Sequence, residues 1–225
     1  MLMRRQGARL GGRDMLREQL DELKTLLENH SYSYREEPRF TLASGRQSRY
    51  YYDAKLVTLA PRGQCLVGHV LFTLLRELGG VDAVGGLELG AVPMATAAAF
   101  ASELEGHRIP AFIVRKQEKT HGTMGKIAQG RAEDGSTAIG GGRRVAVLDD
   151  VVTTGESVEQ AIHRIEADGA KVAAVLVLVC RTEADGRKNI EEKGYNFFAI
   201  FDAHERDGGK LHLSKELTRL LQVPA

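Results

Sequence analysis

The spacing of hydrophobic positions changes several times along the chain, and each change marks an element. Residues 15–29 place Leu16, Leu20, Leu23 and Leu27 on one stripe with charged residues opposite, which predicts an amphipathic helix packed on the main body. Residues 40–53 read as a short strand, a Ser-Gly turn and a Tyr-rich strand. There Tyr50, Tyr51 and Tyr52 put rings on both faces, as in a small sheet standing off a larger one. Pro61 suits the first turn of a helix whose apolar face is Leu66, Val70, Leu71, Leu74, Leu75 and Leu78, and Gly79-Gly80 stops it. A strand over 81–87 turns through Glu88-Leu89-Gly90-Ala91-Val92-Pro93 into an Ala-rich helix over 94–104. Gly85, Gly86 and Gly90 are expected to let the backbone approach a ligand closely. Apolar runs predict further strands over 109–114, 144–148, 172–180 and 196–201, and a closing helix over 211–221. Between the runs at 144–148 and 172–180, Val158, Ala161, Ile162 and Ile165 share a helical face.

Strands alternating with helices predict an α/β fold with a doubly wound, mainly parallel sheet and a small N-terminal hood. In such sheets ligands bind beyond the C-terminal strand ends, and polar segments follow Leu87, Val114, Leu148 and Cys180. With no internal repeat and no linker, one domain is expected over 1–225, with the N-terminal helix and hood at about 14–55 and a long mobile loop at 115–142.

Composition narrows the partners. Charged residues are 27% and hydrophobic ones 43%, ordinary for a soluble globular chain. A net charge of +1 gives no global reason to expect nucleic acid or an anionic membrane, so any positive potential is local. No apolar run approaches the roughly 20 residues that span a bilayer. Residues 1–13 are basic and Gly-rich without an apolar core, and read as a frayed terminus rather than a signal peptide. Cys65 and Cys180 form neither a disulfide framework nor a metal-ligand set. Both are expected to be small buried apolar residues in a reducing compartment, which makes the expected location cytoplasmic.

The chemistry concentrates where the run Arg144-Val-Ala-Val-Leu148 ends in Asp149-Asp150-Val151-Val152-Thr153-Thr154-Gly155-Glu156-Ser157. Hydroxyls and unpaired backbone N–H groups at a helix start form an anion site. The adjacent acids suit sugar hydroxyls or a metal-bound polyol, so the pair of features describes a ribose 5-phosphate. An acid pair also ends strands in receiver domains and other Mg2+-binding folds, but turn chemistry alone does not need the whole series. Neither a G-x-G-x-x-G nor a G-x-x-x-x-G-K-[ST] fingerprint is present at this junction. Upstream, Arg115, Lys116 and Lys119 bring three cations within five residues and His121 adds a donor, a cluster suited to a polyanion such as pyrophosphate. Gly122, Gly125 and Gly130 suit a lid that closes over a reactive sugar cation.

The stretch Leu148-Asp-Asp-Val-Val-Thr-Thr-Gly-Glu-Ser157 resembles the phosphoribosyl pyrophosphate (PRPP) motif of the type I phosphoribosyltransferases. Val114-Arg-Lys-x-x-Lys-x-His-Gly122 is similar to the catalytic loop of the orotate branch of that family. Phe40-Thr-Leu-Ala-Ser-Gly-Arg-x-Ser-x-Tyr-Tyr-Tyr-Asp53 and Cys180-Arg181 are similar to its orotate-side segments.

The resemblance implies Mg2+-dependent transfer of ribose 5-phosphate from PRPP to N1 of orotate. It implies that Asp149 and Asp150 hold the ribose hydroxyls, that Val151 and Val152 also bind PRPP, and that Thr153, Thr154, Gly155, Glu156 and Ser157 cradle the 5-phosphate, with Thr153 also near the base. Lys116 would meet pyrophosphate in its own subunit. Arg115, Lys119 and His121 would reach across a homodimer that shares loop 115–122, with Lys119 and His121 catalytic. Arg181, Tyr51 and Tyr52 would serve the base, and Mg2+ would be held by PRPP and water rather than by a protein cage. Ala43 and Gly90 stand where many members carry lysines that help hold PRPP, a departure that bears on PRPP affinity. The alternatives are a purine-type enzyme of the same family and a non-catalytic PRPP-sensing regulator, which would show a basic surface stripe.

Overall fold

The computed structural model describes residues 12–38, 40–42, 45–119 and 125–222, with only the backbone described at 118, 119 and 125. His121, Gly122, Ala43, Ser44 and the first eleven residues of the basic terminus lie outside the described residues.

The chain runs α1 (Gly12–His30), β1 (Tyr32–Tyr34), β2 (Phe40–Thr41), β3 (Gln47–Ser48), β4 (Tyr50–Tyr52), α2 (Lys55–Thr58) and α3 (Pro61–Leu78). It continues with β5 (Ala83–Leu87), α4 (Ala91–Leu104), β6 (Ala111–Lys119), β7 (Gly125–Gln129), β8 (Arg144–Val152), α5 (Glu156–Ala167) and β9 (Lys171–Arg181). It ends with α6 (Gly186–Glu191), β10 (Phe197–Ala203), a 3-10 turn at Glu205–Asp207, β11 (Leu211–Leu213) and α7 (Lys215–Gln222).

The main sheet has seven strands in the order β11-β10-β9-β8-β5-β6-β7. Its interior pairs from β10 to β6 are parallel, and the edge strands β7 and β11 are antiparallel. Strands buried on both faces need continuous apolar runs, and β8 and β9 supply them in Val145-Ala146-Val147-Leu148 and Ala174-Val175-Leu176-Val177-Leu178-Val179. On one face α1, α3, α4 and α7 bury Leu20, Leu71, Met94 and Leu217 against the sheet. On the other, α5 inserts Val158, Ala161, Ile162 and Ile165, and α6 adds Ile190. The chain order reverses between β5 and β8, where a doubly wound sheet opens a crevice for a ligand.

The hood consists of two two-stranded antiparallel sheets, β1 with β4 and β2 with β3. Strand β1 was not expected. Tyr50 and Tyr52 point inward and Tyr51 outward, in keeping with the strand period. The Tyr52 hydroxyl donates to the Gly209 carbonyl at 2.8 Å, and Tyr32 does the same for Gly208 at 2.5 Å.

Several boundaries correct the sequence reading. Residues 115–142, expected to be a loop, are in part an antiparallel hairpin, because β6 continues to Lys119 and β7 returns from Gly125. Polar edge strands such as these carry little apolar alternation. The closing helix begins at Lys215, and the Leu211–Leu213 part of the expected helix is an edge strand. Strand β8 runs through both acids to Val152, and Arg181 is the last residue of β9 instead of following it. Cys180 is buried, and burial pushes its thiol up to about 11, but Cys65 lies exposed on α3. Gly85 and Gly86 serve packing, not a ligand: a Cβ there would meet the Phe112 and Leu148 carbonyls of neighbouring strands.

Candidate active site

The site begins where β5 and β8 end side by side. Asp149 and Asp150 are 8% and 7% exposed. Each carboxylate accepts from the next backbone N–H, Asp149 from Asp150 at 3.0 Å and Asp150 from Val151 at 2.9 Å, which fixes both rotamers. Burial, and then the adjacent charge of Asp150, push the Asp149 carboxyl up to about 8. Asp150 turns its other oxygen to Lys55, whose ammonium lies 3.1 Å away and also 3.2 Å from Asp53. Burial works against that ammonium, but the two carboxylates outweigh it and hold the Lys55 pKa above the ordinary lysine range.

Sequence reasoning missed Lys55. Nothing in its neighbourhood marks it, and only the fold brings α2 against the end of β8. Gly90 is also better explained by the structure than by the lysine it replaces. A Cβ there would fall 2.3 Å from one Asp150 oxygen and 3.0 Å from Asp149, so the turn after β5 approaches the acid pair closely only as glycine.

Beyond the acids the chain makes a tight loop into α5. Gly155 caps that helix in the left-handed conformation, with φ 88°. The loop is held from behind by α6: the Gly186 N–H donates to the Thr153 carbonyl at 2.8 Å, and the Asn189 amide to the Thr154 carbonyl at 3.0 Å. With its carbonyls engaged at the rear, the loop offers the first-turn N–H groups of α5 and its hydroxyls to the front. There a cavity of about 360 Å3 is lined by Leu87, Lys116, Asp149, residues 151–157 and Gln160. The structure thus brings Asp149, the hydroxyl series and one loop cation into a single space. Asp150 adjoins it through Gly90 and Lys55. The larger cleft of about 480 Å3 between α3 and α4 is mainly apolar and holds none of these groups.

Of the cation cluster, Arg115 and Lys116 lie on the outgoing strand β6, with Lys116 exposed to the cavity. Lys119 is the last residue of β6, opposite Gly125 of β7. His121 falls outside the described residues.

On the base side Arg181 reaches the C-terminal end of β9, one residue beyond the Val152–Cys180 pair of the β8–β9 ladder. It is 1% exposed, and its guanidinium donates to Glu183 at 2.6 and 2.8 Å, to the Ser48 hydroxyl at 2.7 Å and to the Tyr50 carbonyl at 3.3 Å. It also stacks 4.0 Å from the Tyr50 ring centroid, and the Tyr50 hydroxyl donates to the same Glu183. Arg181 therefore fastens the hood to the sheet, a role that the sequence did not suggest. Tyr51 stacks on Phe40, while Tyr52 packs against Tyr32 and Tyr50. Neither tyrosine nor Arg181 lines the 360 Å3 cavity, so the base-side residues form a separate group beside it.

Residues 60–206 match the family described as the phosphoribosyl transferase domain. An orotate phosphoribosyltransferase of Aquifex aeolicus is 39% identical over 191 residues, covering 85% of this chain and 99% of that protein. The crystal structure of the Mycobacterium tuberculosis H37Rv orotate phosphoribosyltransferase in complex with Fe(III) dicitrate superposes with a TM-score of 0.67 at 33% identity, covering 82% of this chain and 96% of that one. The same enzyme in complex with PRPP gives 0.63 at 32% identity, with the same coverage of both chains.

Proposed function

The chain belongs to the phosphoribosyl transferase family, and within it to the orotate phosphoribosyltransferases; from that premise we propose that it transfers ribose 5-phosphate from PRPP to N1 of orotate. The products are orotidine 5′-monophosphate and pyrophosphate, a step of pyrimidine synthesis. The observation that carries this reading is the single cavity shared by Asp149, the hydroxyl series and Lys116.

In the reaction the bond from C1 of the ribose to pyrophosphate breaks while N1 of orotate bonds to C1, through an oxocarbenium-like state. No covalent enzyme intermediate is needed. The protein's task is to hold the two reactants in line and to stabilise departing negative charge. Asp149 and Asp150 engage the ribose hydroxyls. Residues 153–157 cradle the 5-phosphate with hydroxyls and the N–H groups of α5. Lys116 meets pyrophosphate in its own subunit, and Arg115, Lys119 and His121 reach the partner's site, Lys119 and His121 as catalytic donors. Arg181, with Thr153, Tyr51 and Tyr52, serves the base pocket. Lys55 joins the set as a cation that orients Asp150, supported by their 3.1 Å contact.

Mg2+ fits this donor set as an ion carried in by PRPP and water. Two adjacent carboxylates, one already paired with Lys55, suit outer-sphere contacts better than a resident cage, since Mg2+ keeps several waters. When bound, it neutralises charge on the pyrophosphate. A homodimer is supported by exposed Leu56, Leu59, Leu89, Phe100 and Leu104 on and around α2 and α4. Two unpaired cysteines suit a cytoplasmic location, and among the described residues no helix is long and apolar enough to cross a membrane.

The test is an assay of orotate consumption with PRPP, with and without EDTA, and with adenine in place of orotate. Orotate turnover that EDTA abolishes is the expected result. Turnover of adenine alone, or of neither base, overturns the reading.

A further inference from the structure

Strand β6 loses its neighbours at the point where its functional cations begin. Its parallel pairing with β5 ends at Leu87–Val114, and its antiparallel pairing with β7 shifts register between Val114 and Lys119. In that gap two side chains from other elements take over. The Lys116 N–H donates to the Glu88 carboxylate at 2.7 Å, and the Glu88 N–H donates to the Val114 carbonyl at 2.8 Å. From α5, the Arg164 guanidinium donates to the Arg115 carbonyl and, at 3.1 Å, to the Lys116 carbonyl. The backbone of Lys116 is thus gripped at both its N–H and its C=O by charged groups.

We propose that Glu88 and Arg164 are positioning residues that hold the Lys116 backbone at the mouth of the phosphate cavity, so that its ammonium meets pyrophosphate. This rests on the function proposed above. Neither residue lines the cavity. Arg164 lies on α5, the helix that opens at the phosphate cradle, and Glu88 lies in the turn that packs on Asp150 through Gly90. Cradle, acid pair and cation therefore share one frame. A guanidinium holds two adjacent carbonyls in one planar, fixed fork, whereas a lysine ammonium on its flexible stem sets no such geometry.

The test uses the full chain and the variants Arg164→Ala, Arg164→Lys, Glu88→Ala and Glu88→Gln. Binding of pyrophosphate with Mg2+ is measured by calorimetry, both KM values by steady-state kinetics, and amide exchange over 115–119 by mass spectrometry. Losing either anchor is expected to weaken pyrophosphate binding and raise the KM for PRPP about tenfold, the scale of one lost hydrogen bond to a charged group, with the KM for orotate within about twofold. Exchange over 115–119 should accelerate in both alanine variants. Glu88→Gln keeps an acceptor and should lose less than Glu88→Ala, and Arg164→Lys should fall between wild type and Arg164→Ala. Unchanged pyrophosphate affinity in both alanine variants overturns the proposal, as does a parallel rise in both KM values with a lowered Tm, which marks a merely structural role. Exchange needs no ligand. If the wild-type protein binds no pyrophosphate while exchange responds as expected, the phosphoribosyl reading fails and the backbone grip stands; unchanged exchange refutes the grip whatever binds.

Discussion

At the scale of single residues, the acid pair and Gly90 behave as one unit. The carboxylate of Asp150 is fixed by the Val151 N–H and by Lys55, so it yields poorly to a new side chain at position 90. Gly90→Ala is expected to displace it and to raise the KM for PRPP about tenfold, the scale of one misplaced polar contact, leaving the KM for orotate unchanged. Gly90→Lys should not improve PRPP binding despite its charge; a lower KM in that variant would show that the turn relaxes freely. Asp149 carries a different prediction. Its carboxyl is raised to about 8 in the folded protein, against about 3.9 when unfolded. The unfolded chain therefore releases this proton first as pH rises, and stability contributed by the protonated form is present below about pH 4 and is lost between about pH 4 and 8. Asp149→Asn removes that loss. Ligand-free Asp149→Asn should melt above wild type at pH 8, by roughly 2–4 °C per kcal/mol regained, with the gap closing toward pH 4, while activity falls. A gap independent of pH would trace the change to packing instead.

At the scale of elements, what could be read in advance follows from burial. Strands β8 and β9 are covered on both faces and so announce themselves as apolar runs; α3 and α5 show their stripes because one side faces the sheet. The short or half-exposed pieces did not. Strand β1 has three residues, α6 has six and β7 is a polar edge strand, and each is specified by what it packs against. The same division runs through the site. The loop from β8 into α5 is local in sequence and was legible as a strand-to-helix turn, whereas Lys55, Glu88, Asn189 and Arg164 act on residues 28 to 95 positions away and were not. Arg181 was expected just past the strand that it in fact ends, and its partner Glu183 and its stack on Tyr50 depend on the docked hood. Arg181 and Glu183 are 1% and 9% exposed on their side chains, so removing one charge strands the other. Glu183→Gln should cost about 3 kcal/mol or more in denaturant unfolding and raise the KM for orotate more than that for PRPP. Unchanged stability would mean that water readily reaches the pair and that the hood is fastened elsewhere.

At the scale of the whole molecule, the question is whether a site can be completed within one chain. Lys116 faces the cavity of its own subunit, yet Lys119 sits at the far end of β6, three residues beyond it along an extended strand. An extended strand advances about 3.3 Å per residue, which moves Lys119 about 10 Å away from Lys116. Exposed Leu56, Leu59, Phe100 and Leu104 offer an apolar surface of the kind that a second copy would cover. If the loop acts across the dimer, Lys119→Ala alone should lower kcat by about 100-fold, the effect of losing one preorganised donor. Asp150→Ala should be similarly impaired through its own ribose contact. In a heterodimer of the two, one site receives intact Asp150 from one chain and intact Lys119 from the other, while the second site carries both defects. Random exchange makes half the dimers mixed, each with one good site of two, so recovered activity should approach about one quarter of wild type. If the loop acts within its own chain, every site in the mixture keeps one defect and no activity returns.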